Sequence, residues 1–230
     1  MRDELCLSGT DEPLGLWLGP GAPLPSEPAR VGHDFELTSR GDRVTGRVLR
    51  AAQRAGREPL VLVAHELGGS AQGVLDALGA RLASAGAVVA AIDFPLHGAR
   101  ADQKLLQMLA APRAGDRHGA ALAAEFVRQA LCDLERALDA LTASAWVDAQ
   151  RIGFVGFGFG GQLGSAFCAL DPRPTAAALA PAVGAALAGG PDPARYLDRI
   201  APRPVLCVDS PPATASAAIG EFLASRLATR

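Results

Sequence analysis

Five short, uninterrupted apolar runs constrain this chain more than any other feature: PLVLVAH (59–65), AVVAAIDF (87–94), RIGFVGF (151–157), TAAALA (175–180) and PVLCVD (204–209). A strand with one wet face alternates apolar and polar residues. Strands that do not alternate are covered on both faces, as in a parallel sheet flanked by crossover helices. The stretches between the runs fit that role. In AAEFVRQALCDLERALDALTA, Phe126, Ala130, Leu134, Leu138 and Leu141 recur at three- and four-residue spacing and make one apolar stripe. Residues 70–85 and 214–228 also read as helices. Strand and helix in alternation give an α/β fold: a mostly parallel sheet, right-handed crossovers and helices on both faces.

Upstream of the runs, HDFELTSRGDRVTGRVLRA holds two alternating segments around Arg40-Gly41-Asp42, the pattern of an antiparallel β-hairpin. Residues 1–31 are a Pro/Gly-rich lead-in, and residues 32–230 form a single domain without internal repeats. Gly98 to Gly119 mixes proline, glycine and charge, and is expected to make an excursion over the top of the sheet.

Composition narrows the function classes. Hydrophobic residues make up 49% and charged residues 20% of the 230, the balance of a globular protein. A net charge of −2 supplies no basic field for nucleic acid and no attraction to a membrane surface. The uncharged stretch AAALAPAVGAALAGG is broken by Pro181 and makes a poor membrane span, and MRDELCLSGTDEPLG lacks the apolar core of a secretory signal. A cytoplasmic location is expected. Cys6, Cys132, Cys168 and Cys207 lack metal-ligand spacing, and three of them fall in apolar segments where a reduced, buried thiol is expected. No cofactor or metal is expected.

RIGFVGFGFGGQLG (151–164) joins a strand, a glycine turn and a helix start, an outline shared by two kinds of site. Gly156, Gly158 and Gly161 satisfy the G-x-G-x-x-G fingerprint of a dinucleotide cradle. That fingerprint normally opens its domain, whereas two apolar runs precede it here. It also wants an acid at the end of the following strand, yet TAAALAP ends in Ala180-Pro181, and Asp171 lies before that strand. The other kind of site is a nucleophile elbow, with the attacking residue at the tip of the turn.

The surroundings favour the elbow. WVDAQRIGFVGFGFGGQ, PLVLVAHELGGS, IDFPLHGAR and DPARYLDRIAPRPVLCVDS occur in the order of the α/β-hydrolase family, and the chain resembles that family from about Asp34 onward. HELGG, with an acid before the turn, is most similar to its dienelactone-hydrolase branch. The resemblance implies a three-layer α/β sandwich and a Ser-His-Asp apparatus for ester or lactone hydrolysis. It also implies oxyanion donors at the amides of Leu67 and Phe159, and an acid, Glu66, facing the nucleophile position.

Set against that pattern, the nucleophile position is Gly158, which has no attacking atom. Ser165 and Ser70 are too displaced to substitute and are expected to serve packing and capping. Asp209 falls about three positions early for the orienting acid. No histidine follows His118, and DSPPA runs straight into what resembles the family's last helix, so an eighth strand is missing. His65 and His97 are expected to be structural and His33 solvated, leaving His118, in the excursion, as the one imidazole with reach over the pocket. These absences predict a degenerate hydrolase-fold protein that binds a small acyl or carboxylate ligand or a protein partner. One alternative is an active ester or lactone hydrolase in which Glu66, desolvated by the pocket, activates water. A second alternative is a dinucleotide-binding protein using Gly156, Gly158 and Gly161.

Overall fold

The computed structural model describes residues 12–25, 27–53, 56–84, 86–110, 116–181, 190–209 and 212–228. Four strands come first: β1 (Trp17–Leu18), β2 (Ala22–Leu24), β3 (Glu27–Ser39) and β4 (Asp42–Ala51). β3 and β4 form the expected hairpin, paired antiparallel from Arg30↔Ala51 to Ser39↔Asp42. Arg40 (φ 51°) and Gly41 (φ 78°) between them are both left-handed, the backbone of a two-residue turn whose twist matches its strands. β1 and β2 both pair with β3, so part of the Pro/Gly-rich stretch lies along the sheet edge, and β3 begins inside that stretch.

The alternating part then runs β5 (Glu58–Ala64), α1 (Ala71–Ser84), β6 (Val88–Ile92), α2 (Gln103–Ala110), α3 (Arg117–Thr142), β7 (Val147–Gly158), α4 (Phe159–Leu170), β8 (Ala176–Pro181), α5 (Leu197–Ile200), β9 (Val205–Cys207) and α6 (Pro212–Leu227). The sheet order is β1-β3-β4-β6-β5-β7-β8-β9, with β2 also on β3. Every pairing from β6 to β9 is parallel, and β4 joins β6 antiparallel. The excursion between β6 and the body of α3 contains α2 and the first turn of α3.

Pleating divides the core between two layers. Leu60 and Leu62 of β5 point to a cluster with Phe126, Leu134 and Leu138 of α3 and Leu163 and Phe167 of α4. Val61 and Val63 point the other way, to Leu75, Leu78 and Leu82 of α1 and Ile219, Leu223 and Leu227 of α6. Both faces of the parallel strands are dry, which is why their sequences do not alternate.

Among the described residues the sheet stops at β9: no strand follows it, and α6 begins at Pro212. Being an edge strand, β9 is only half-buried, and its Cys207 is exposed, a departure from the expectation of a buried thiol; Cys132 and Cys168 are buried. His33 departs too. The chain before β3 folds over it, so it is buried rather than solvated: Arg50 Nε donates to its Nε2 (3.2 Å), and its Nδ1 lies 3.0 Å from the Gly19 carbonyl. No helix among the described residues is long and apolar enough to cross a membrane.

Candidate active site: a vacant elbow

β7 ends and α4 begins without an intervening loop, and the reversal falls on Gly158 (φ 53°, ψ −120°). Side chains rarely occupy that region, and backbone held there stores strain. The neighbouring glycines make the reversal sterically feasible. A Cβ on Gly156 would collide with the Gly160 carbonyl, and one on Gly160 with the carbonyls of Ala64 and His65 at the end of β5. A Cβ on Gly161 would lie 2.8 Å from the Ala180 carbonyl carbon at the end of β8. Three glycines therefore let α4 start wedged between two strands. Gly158 differs: the nearest atoms to its added Cβ all belong to Glu66, with Cβ at 3.0 Å and Oε2 at 3.7 Å.

The turn from β5 into α1 faces this elbow and is held by side chains. His65 donates through Nδ1 to the Glu66 carbonyl (2.7 Å) and accepts the Phe94 amide at Nε2 (3.2 Å). His97 donates through Nδ1 to the Pro95 carbonyl (2.7 Å) and accepts the Gly68 amide at Nε2 (2.9 Å). These acceptor roles fix both tautomers, with the proton on Nδ1. Burial pushes the His65 imidazole down to about 4 and lowers that of His97, so both stay neutral near pH 7. Asp93, buried at the end of β6, accepts from Ala71 N (2.8 Å), Ala99 N (3.1 Å) and Thr45 Oγ1 (2.9 Å), tying α1, the β6 exit and the hairpin together. Asp93 has no sequence signal beyond its strand-end position.

Aromatic packing connects the two turns. His65 lies against Phe94 and His97, with ring centroids 4.5 and 5.1 Å apart, and Phe126 touches both His97 (5.7 Å) and Phe159 (5.3 Å). Phe159, the first residue of α4, is thereby clamped with its amide at the helix start. A cleft of about 490 Å³ opens beside the elbow, lined by Glu66, Ser70, Val74, Ala77 and Phe157 among others.

The structure brings Glu66 against Gly158 at the C-terminal edge of the strands, with Leu67 next to Glu66 in its turn and Phe159 opening α4; of these four only Glu66 lines the cleft, and His118 lies apart. His118 is exposed in the first turn of α3, where its amide donates to the capping carboxylate of Asp116, and it does not line the cleft. Glu66 sits at the cleft rim and is exposed, so the desolvation expected of it is absent. Ser70 caps α1 by accepting the Gly73 amide (3.1 Å), and buried Ser165 donates to the Gln162 carbonyl (2.7 Å). Asp209 is exposed just beyond β9.

Comparison with known proteins agrees with this fold. The structure is similar to a cold-adapted esterase from an Arctic intertidal metagenomic library (TM-score 0.67, 18% identity, covering 92% of this chain and 99% of that one). It is similar to a putative dienelactone hydrolase from Klebsiella pneumoniae subsp. pneumoniae MGH 78578 (0.60, 20%, covering 86% and 83%). It is also similar to an acetyl xylan esterase from Paenibacillus sp. R4 (0.59, 24%, covering 74% of this chain), of which it spans 54% of the length. At such identities the likeness establishes the fold. No curated protein matches the chain. The family model of dienelactone hydrolases matches residues 45–207, and the chain belongs to the dienelactone hydrolase family, with an α/β-hydrolase fold.

Proposed function

We propose that this protein is a catalytically degenerate member of its family that uses the elbow cleft to hold a small ligand through an acyl carbonyl. The supporting observation is the pairing of a side-chain-free elbow tip with the disposition of the imidazoles. The sequence has four histidines. His65 and His97 have both ring nitrogens engaged with backbone, His33 is buried under the chain before β3, and His118 is exposed on α3. Acyl transfer by this kind of site needs a nucleophile and a base within hydrogen-bond reach of it. The oxyanion-type donors, the amides of Leu67 and Phe159, remain to bind a carbonyl oxygen.

The test is to restore the missing atom. Gly158→Ser should stay unlabelled by a fluorophosphonate serine probe and should hydrolyse p-nitrophenyl acetate no faster than wild type. Stoichiometric labelling with ester turnover would overturn the proposal, because it would demonstrate a working base. A second reading draws on Glu66, whose Oε2 lies 3.7 Å from where a Gly158 side chain would begin, close enough to polarise a water there. On that reading wild type turns over esters or lactones, and Glu66→Gln abolishes the turnover.

A further inference from the structure

A second recess, of about 460 Å³, lies away from the elbow on the outer face of the β3–β4 hairpin. We propose that it is a saccharide subsite, which holds a neutral pyranose by its hydroxyls with Trp17 flanking it as a stacking platform. No residue of β7 or α4 lines it, so the subsite stands whether or not the elbow binds a ligand.

Three elements wall the recess. The hairpin supplies Asp34, Glu36 and Arg47, the start of α1 supplies Ser70 and Gln72, and the exit of β6 supplies Asp93. Their charges are already matched. Asp34 stands opposite Arg47 in the strand ladder, 3.5 Å from its Nη1, and Glu36 pairs with Arg43 at 3.0 Å. The buried Asp93 carboxylate accepts from the Ala71 and Ala99 amides and from the Thr45 hydroxyl. A cation therefore meets acids that have partners, and an anion meets a guanidinium that has one. What the walls offer instead is both senses of hydrogen bond. A carboxylate only accepts, and has more lone pairs than one arginine uses; a guanidinium only donates, through five N–H groups. Ser70 accepts the Gly73 amide, which leaves its hydroxyl proton to donate. Hydroxyl groups match such a wall, because each donates and accepts without carrying charge.

Trp17 adds the apolar half of the recognition. It lies on the outermost strand, β1, and is 51% exposed, whereas tryptophan is highly buried on average. Trp17 is the register partner of Glu36, so its side chain leaves the sheet on the face that carries Glu36 and Asp34. A Cβ added to Gly19 would lie 2.9 Å from its ring, and the Gly19 amide donates to the Asp34 carbonyl (2.8 Å). The indole therefore stands beside Asp34, at the margin of the recess rather than in its wall. A pyranose has a flat side of C–H bonds and a rim of hydroxyls. The negative π face attracts the C–H hydrogens, and the rim is left for the carboxylates and Arg47.

Sugars that differ in charge test the assignment: methyl β-glucoside and methyl β-galactoside as neutral rings, glucosamine as a cation and glucuronate as an anion. Each is titrated into the full chain at mildly acidic pH, where glucosamine is protonated, and followed by backbone amide chemical shifts. A neutral glycoside should move the amides of Glu36, Thr45 and Gln72 at about fivefold lower concentration than either charged sugar. Trp17→Ala and Asp34→Ala alter exposed side chains and leave the core untouched, and each should weaken the neutral glycoside about tenfold. Equal or tighter binding of a charged sugar, affinity that survives either substitution, or stillness of these amides toward both glycosides would overturn the subsite. None of these outcomes bears on the elbow.

Discussion

Two turns meet at the C-terminal edge of the sheet, and they are built on opposite principles. The β5–α1 turn is held by polar side chains: two buried histidines and Asp93 supply its hydrogen bonds, and aromatic rings brace the imidazoles. The β7–α4 elbow is held by backbone packed against backbone, with three glycines in contact with neighbouring main chain. The difference explains how an elbow can persist without a nucleophile. No side chain at position 158 takes part in forming it, so the reversal needs nothing from its tip. The opposite turn cannot lose its residues in the same way, because His65 and Asp93 hold the buried amides of Phe94 and Ala71, which would otherwise go unsatisfied.

The sharpest way to break this comparison is to add one methyl group to the elbow's packing. Gly160→Ala places a Cβ against the carbonyls of Ala64, the last residue of the central strand β5, and of His65 just after it, backbone that cannot give way. A loss of more than about 4 kcal/mol in chemical denaturation, or failure to fold, is expected. A loss below about 1 kcal/mol would show that the elbow is not backbone-locked.

The polar turn should instead respond to acid. The His65 imidazole has its ordinary value of 6.5 lowered to about 4 in the fold, so between those pH values the unfolded chain binds the extra proton. Its contribution is fully present above about pH 6.5 and is lost as pH falls toward 4, amounting to about 3 kcal/mol. His97 shifts in the same direction. Denaturation midpoints between pH 7 and 4 should fall steeply in wild type and less steeply in His65→Gln; identical slopes would remove His65 from the account.

The smallest effect belongs to the vacant tip. Gly158→Ala has Glu66 as its nearest neighbour, closest at the side-chain Cβ, and pays the cost of a strained φ, about 1–2 kcal/mol in thermal unfolding. A loss as large as that of Gly160→Ala would erase the distinction between tip and wedge.

Much of this architecture was legible in the sequence because burial on both faces leaves an unmistakable trace. β5 to β9, α1, α3 and α6 stand where the apolar runs and helical stretches placed them, α4 starts where the glycine-turn motif put it, and the hairpin turns at Arg40-Gly41. β1 and β2 were not legible, since two or three residues among prolines and glycines have no periodicity to read, and the burial of His33 depends on them. α2 was hidden in the mixed composition of the excursion. The exposure of Cys207 follows from the sheet ending at β9, a tertiary fact that a local apolar run does not encode. At the site, the approach of Glu66 to Gly158 followed from family pattern, while its exposure depends on the rim position of its turn.

The termination of the sheet at β9 carries an evolutionary corollary. Removing a central strand such as β7 would strip ladders on two sides and open both core layers, whereas chain beyond an outermost strand is attached along one border only. Change at that margin therefore disturbs the sheet less than change at its centre, and the glycine-wedged elbow stands on β5 and β8, away from the border that varies.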